Sequence, residues 1–192
     1  MADGFFETDA FVDGEEGFDE YGIPAIVTSM KGTLLAFCES AWRENRKTPQ
    51  ERYTCHVVLK RSFDGGRTWG EVQLLTEAPR GRQICNPCAV VDDVSGTIWL
   101  TYIHQQREKV RDGVFANDNL VKVIHSDYHD DGGTWSEPRD ITDQVKGEGW
   151  GFYATGPGVG IQKQRDPNKG RLVIPCDHSK EVEPFVDYFE HG

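Results

Sequence analysis

The sequence predicts an all-β protein that forms part of a β-propeller, and three observations predict it. Short β-type runs follow one another along the chain, with no amphipathic helix of any length between them. Gly, Asp and Asn turns separate the runs. A strand, a Gly-rich acidic turn and a tryptophan occur twice, at 62–69 and 126–135, with the two tryptophans 66 residues apart (135 − 69). Recurrence at that spacing reads as successive four-stranded blades. A β-sandwich with two similar hairpins would fit the same pattern.

Taken in order, the predicted strands are "GIPAIVTS", "GTLLAFCES", "YTCHVVLKRS", "CAVVDDVSGTIWLTYIH", "NLVKVIHS", "VGIQK" and "GRLVIPC". The polar stretch 106–118 reads as a connecting loop. In the first turn, "RSFDGGRTW", Asp64 can accept backbone N–H bonds and glycine can take positive φ without steric cost. Trp69 then returns as an apolar anchor whose indole N–H needs a partner. The second turn repeats the order of Ser62, Asp64, Gly66, Thr68 and Trp69 as Ser126, Asp130, Gly132, Thr134 and Trp135, with Tyr128 and His129 as two extra residues.

A chain of 192 residues has room for one domain or part of a larger all-β one, and a hydrophobic content of 37% with five tryptophans points to a folded core. The net charge of −11 argues against nucleic acid and anionic membranes, which call for clustered Lys and Arg. No run reaches the roughly 18 apolar residues of a membrane helix. The opening "MADGFFETDAFVDGEEGF" has neither a basic n-region nor an apolar h-region, so no export signal is expected. Cys38, Cys55, Cys85, Cys88 and Cys176 read as thiols, mostly buried, rather than as a disulfide framework. Cys85 and Cys88 lack a second Cys/His pair at zinc spacing, and neither a metal site nor a cofactor is expected.

Several stretches together carry a family resemblance. Ser62-x-Asp64-x-Gly66-x-Thr68-Trp69 resembles the Asp box of the sialidase (neuraminidase) superfamily. "YGIPAIVTSMKGTLLAFCES" is similar to the opening segment of that family, and "CNPCAVVD", "YATGPGVGIQ" and "GRLVIPCDH" follow in the family's order. The resemblance implies a six-bladed propeller with a central active site, of which a chain of this length would make about three blades. It further implies one sialidase-like region over 1–192, shortened at its C-terminus and incomplete as a catalyst by itself. Half a propeller leaves sheet edges unpaired, so self-association is expected. Family members are often secreted or periplasmic.

The implied activity is that of an exo-α-sialidase, a glycosidase releasing terminal sialic acid from sialylated glycans with retention. Three arginines clamp the sugar carboxylate through planar forks, a Tyr/Glu pair is the nucleophile, and a loop carboxylate is the acid/base. The first arginine belongs where this chain has Gly22, and the loss of one fork of a buried ion cluster costs about 2 to 5 kcal/mol of binding. By position, Glu51 is the candidate acid/base, and Arg43 or Arg46 stands near an arginine that the family often places after "AFCE". Asn86 occupies a site, before Pro87, where many members carry a pocket Asp; its amide can bind sugar hydroxyls. Tyr153, Thr155 and Gly156 fall in a turn bordering the pocket, while Trp150 and Phe152 would wall it or pack the core. His178 reads as a structural histidine. The other arginines, the Tyr and the Glu would lie beyond Gly192. Two rivals remain open: a degenerate propeller that binds sialylated or other acidic glycans without cleaving them, and a propeller that keeps Asp boxes for folding only.

Overall fold

In a computed structural model the described residues are 5–42, 54–111, 114–179 and 185–186. Two four-stranded antiparallel meanders dominate them. The first is β1 (Glu20–Thr28), β2 (Leu34–Trp42), β3 (Thr54–Ser62) and β4 (Gln73–Thr76). The second is β5 (Gln83–Val91), β6 (Ile98–Arg111), β7 (Val114–Ser126) and β8 (Arg139–Asp140). A single parallel pairing, Cys55 with Gln83, joins the two meanders. A short helix, α1 (Thr142–Val145), leads to β9 (Tyr153–Thr155), β10 (Ile161–Gln162), β11 (Leu172–Val173) and β12 (Cys176–His178). There β9 pairs with β12 and β10 with β11, and β13 (Phe185–Val186) pairs with the start of β7. The chain is therefore a partial propeller: two whole blades and strands of a third.

Period-2 alternation builds the core. Leu35 and Phe37 on β2, Val57 and Leu59 on β3, and Ile98 and Leu100 on β6 are all fully buried and belong to one cluster between the two meanders. The opposite face of the first meander is covered differently. Phe18 from the N-terminal segment packs with Cys38 and Val58, and Phe11, Tyr21 and Val72 close over them. Covered on both faces, β3 is buried almost throughout, which is why "HVVLK" is a continuous apolar run rather than an alternating one.

The two Trp turns use the same bonds. In the first, the Gly66 N–H donates to Ser62 Oγ at 2.8 Å, and the Thr68 hydroxyl donates to Asp64 Oδ2 at 2.7 Å. In the second, the Gly132 N–H donates to Ser126 Oγ at 2.9 Å, and the Thr134 hydroxyl donates to Asp130 Oδ2 at 2.6 Å. The serine bond spans four residues in one turn and six in the other, so the two extra residues are absorbed between Ser126 and Asp130. Trp69 Nε1 donates to Thr8 Oγ1 at 3.3 Å, whereas Trp135 Nε1 donates to Gly132 O at 3.1 Å.

One expectation is corrected. The polar stretch 106–118 is not a loop: β6 runs to Arg111 and β7 starts at Val114, and their pairing continues from Gln106 with Asp118 to Arg111 with Val114. An antiparallel ladder satisfies backbone groups whatever the side chains are, so a polar composition does not prevent it. All five cysteines are free thiols, four buried and Cys176 exposed. Among the described residues no helix is long and apolar enough to cross a membrane.

Candidate functional site

Three strands, β1, β5 and β9, lie beside one another, β5 in contact with both of the others, and each is irregular at a corresponding place. On β1 the register slips between Gly22 and Ala25, and Ile23 takes φ 48°. On β5 it slips between Cys85 and Cys88, and Asn86 takes φ 55°. On β9 the strand ends at Thr155, followed by Gly156 at φ 83°. A bulge re-aims the side chains around it, and positive φ at a β-branched Ile or at a residue before proline is strained. Such strain concentrates at functional positions.

Buried and half-buried polar side chains tie the irregular points together. Glu39, the register partner of Gly22 on β2, accepts the Asn86 N–H at 2.6 Å through Oε1. Its Oε2 accepts the Cys55 S–H at 3.7 Å. Thr155 Oγ1 donates to Asn86 O at 2.6 Å, and Cys38 Sγ donates to Gly22 O at 2.9 Å. The buried Asn119 of β7 acts as a surrogate strand for β9: its Oδ1 accepts the Tyr153 N–H at 2.9 Å and its Nδ2 donates to Tyr153 O. Desolvation pushes the Glu39 carboxyl up, against the pull of its bonds from Asn86 and Cys55. Burial likewise pushes the Cys38 thiol up to about 12 and raises the Cys55 thiol and the Tyr153 phenol.

Gly22, Asn86, Thr155 and Gly156 are thus gathered at one end of adjacent strands, with Tyr153 buried just behind. The Asn86 carboxamide makes no hydrogen bond among the described residues. A Cβ built at Gly22 meets no heavy atom within 4 Å, so a side chain there has room. Arg43, Arg46 and Glu51 lie outside the described residues. Phe152 packs on Cys55, Cys85 and Ile103, in the core. Trp150 stacks on His178, with ring centroids 3.5 Å apart and planes within 4°. Ser62, Asp64, Thr68, Ser126, Asp130 and Thr134 hold their own turns. Sequence alone gives no reason to single out Asn119, and for Glu39 its one signal is a charged residue inside a largely apolar strand.

Comparison with known proteins identifies the family. The model of the BNR repeat-like domain matches residues 32–190. The chain is 35% identical over 164 residues to human Sialidase-3 and 34% identical over 178 residues to the sialidase of Micromonospora viridifaciens. These matches cover 81% and 88% of the chain but only 36% and 27% of the two relatives. Among solved structures, a Hadza microbial sialidase superposes with a TM-score of 0.71 at 30% identity, over 89% of this chain and 35% of that one. The leech intramolecular trans-sialidase gives the same TM-score at 15% identity, which speaks for the fold alone. The chain belongs to the family of the BNR repeat-like domain, within the sialidase superfamily.

Proposed function

We propose that this chain is the N-terminal part of an exo-α-sialidase-like glycoside hydrolase that releases terminal sialic acid from glycoconjugates. The end shared by β1, β5 and β9 would be its part of the sugar pocket. The single observation behind this reading is Asn86: its backbone is held at φ 55° by Glu39 on one side and Thr155 on the other, while its carboxamide makes no hydrogen bond among the described residues. An amide can donate to one sugar hydroxyl and accept from another. In the same reading Glu51 is the acid/base, Arg43 a cation near the sugar, and Tyr153, Thr155 and Gly156 the rim. The other two clamp arginines, the Tyr/Glu nucleophile and the remaining blades would come from outside residues 1–192, and until those blades close the ring, unpaired edges favour self-association.

A second reading is favoured by Gly22. A pocket without the first guanidinium holds a carboxylate less well, which suits a protein that binds sialylated glycans and does not cleave them. Release of free sialic acid from sialyllactose by the full-length protein, with and without Gly22→Arg, separates the two. The hydrolase reading expects measurable release that rises in the variant. Binding of sialyllactose in ligand-observed NMR with no release from either form would establish the binder, and absence of both would leave the turns with a folding role only.

A further inference from the structure

Glu39 is a half-buried carboxylate with no cationic partner among the described residues, and its partial desolvation is costly to keep. What it holds in return is one backbone N–H, that of Asn86, at 2.6 Å. Asn86 in turn stands in a conformation that its neighbour Pro87 disfavours, at φ 55°, where the β5 ladder is interrupted and cannot supply the bond itself. Thr155 completes the arrangement from β9, donating to the Asn86 carbonyl at 2.6 Å. The peptide groups on both sides of the Asn86 Cα are therefore fixed by side chains from two other strands, and the carboxamide is left without a hydrogen bond among the described residues. A short bond to a charged acceptor is among the strongest that a backbone N–H can make, and it is directional.

We propose that Glu39 is a positioning residue of the candidate site: by anchoring the Asn86 backbone at positive φ, it aims the Asn86 carboxamide at a hydroxyl of the bound sugar. The proposal rests on the reading of Asn86 as a sugar contact. Glu39 touches no substrate and moves no proton. Its contribution is to preserve a direction that Pro87 and the local ladder would otherwise not keep. Glutamine at this position retains an acceptor oxygen of the same reach, whereas leucine of similar volume retains none, so the two substitutions separate the bond from the packing.

The test is a binding cycle on the full-length protein, with sialyllactose as the probe and ligand-observed NMR as the readout. The variants are Glu39→Leu, Glu39→Gln and Asn86→Ala, together with the Leu/Ala double variant. Glu39→Leu is expected to weaken binding roughly 2- to 10-fold, the range of one hydrogen bond, and Glu39→Gln by less. In the Asn86→Ala background the same Glu39→Leu change is expected to do nothing further, since its effect travels through the missing carboxamide. An equal loss in both backgrounds overturns the proposal. In parallel, the Asn86 amide proton in a backbone NMR spectrum is expected far downfield in the parent and in Glu39→Gln, and shifted upfield with an altered φ-dependent coupling in Glu39→Leu. An unchanged Asn86 resonance overturns the positioning role whatever the sugar does. If Asn86→Ala leaves sialyllactose binding intact while that resonance moves as expected, Asn86 is no sugar contact, and both the pocket reading and the aiming role fail while the anchoring of Asn86 stands. Should Glu39→Leu not fold, Glu39→Gln carries both readouts, and a Gln variant that displaces the Asn86 resonance or abolishes binding contradicts the geometry.

Discussion

Substituting Gly132 by alanine tests whether the second Trp turn is packed into the core or merely decorates the surface. Gly132 has φ 78°, and a Cβ there would lie 2.3 Å from Leu35 Cδ2, with Leu35 itself completely buried. Two costs add: about 1–2 kcal/mol for an L-residue in the left-handed region, and about 1–3 kcal/mol for overpacking a filled site. Gly32 supplies the control, since it has φ 86° and its added Cβ meets nothing within 4 Å, leaving only the first cost. In urea unfolding at a slope of about 2 kcal/mol/M, the midpoint of Gly132→Ala should fall about 0.5–1.5 M below that of Gly32→Ala. Trimming Leu35 to alanine removes the atom that is struck, so the extra cost of Gly132→Ala should vanish in that background. Equal midpoints for the two glycine variants, or an extra cost that survives Leu35→Ala, would show that the turn does not bear on Leu35.

Two pH effects have opposite chemistry and the same sign. Hydrogen bonds from the Thr68 hydroxyl and N–H, then from Ser62, lower the Asp64 carboxyl from 3.8 to about 2, so its contribution is present above pH 3.8 and is lost as pH falls through about 2. Carboxyl NMR should find Asp64 titrating near 2, and Thr68→Val should move it up; an Asp64 titrating at 3.8 in the parent would deny the bonds. His56 is buried, its Nδ1 accepts the Ala78 N–H at 3.0 Å, and burial lowers it from 6.5. Its contribution is therefore present above pH 6.5 and lost as pH falls through the lower native value, as imidazole resonances followed from pH 7 to 4 should show. Leu35→Ala in the parent background should cost about 2–5 kcal/mol in the same urea assay, as for other buried leucines; a value below 1 would mean that the two meanders are not packed through it.

What could be read ahead of the structure divides along a physical line. Strands β1, β2, β3, β5 and the core part of β6 and β7 alternate or run apolar because they lie between packed faces, and the sequence carries that imprint. The outer arm of β6 and β7 lacks it, for the pairing from Gln106 to Arg111 is made by backbone groups that no side-chain pattern reports. The same holds at the candidate site. Gly22, Asn86, Tyr153, Thr155 and Gly156 stand in short motifs and could be named from resemblance; their convergence, Asn86 at φ 55° and the bond from Glu39 could not. Asn119 opens the predicted strand "NLVKVIHS", where nothing distinguishes it, yet it is completely buried because its carboxamide replaces a strand for Tyr153. Backbone irregularity needs partners supplied from a distance, and in this chain Glu39, Thr155 and Asn119 supply them across blades. It follows that position 22, where an added Cβ meets no described heavy atom within 4 Å, should accept a side chain without loss of structure. A change at Glu39 or Asn119 leaves a backbone N–H of half-buried Asn86 or of buried Tyr153 without its partner, so mutational tolerance should fall from Gly22 to these two residues.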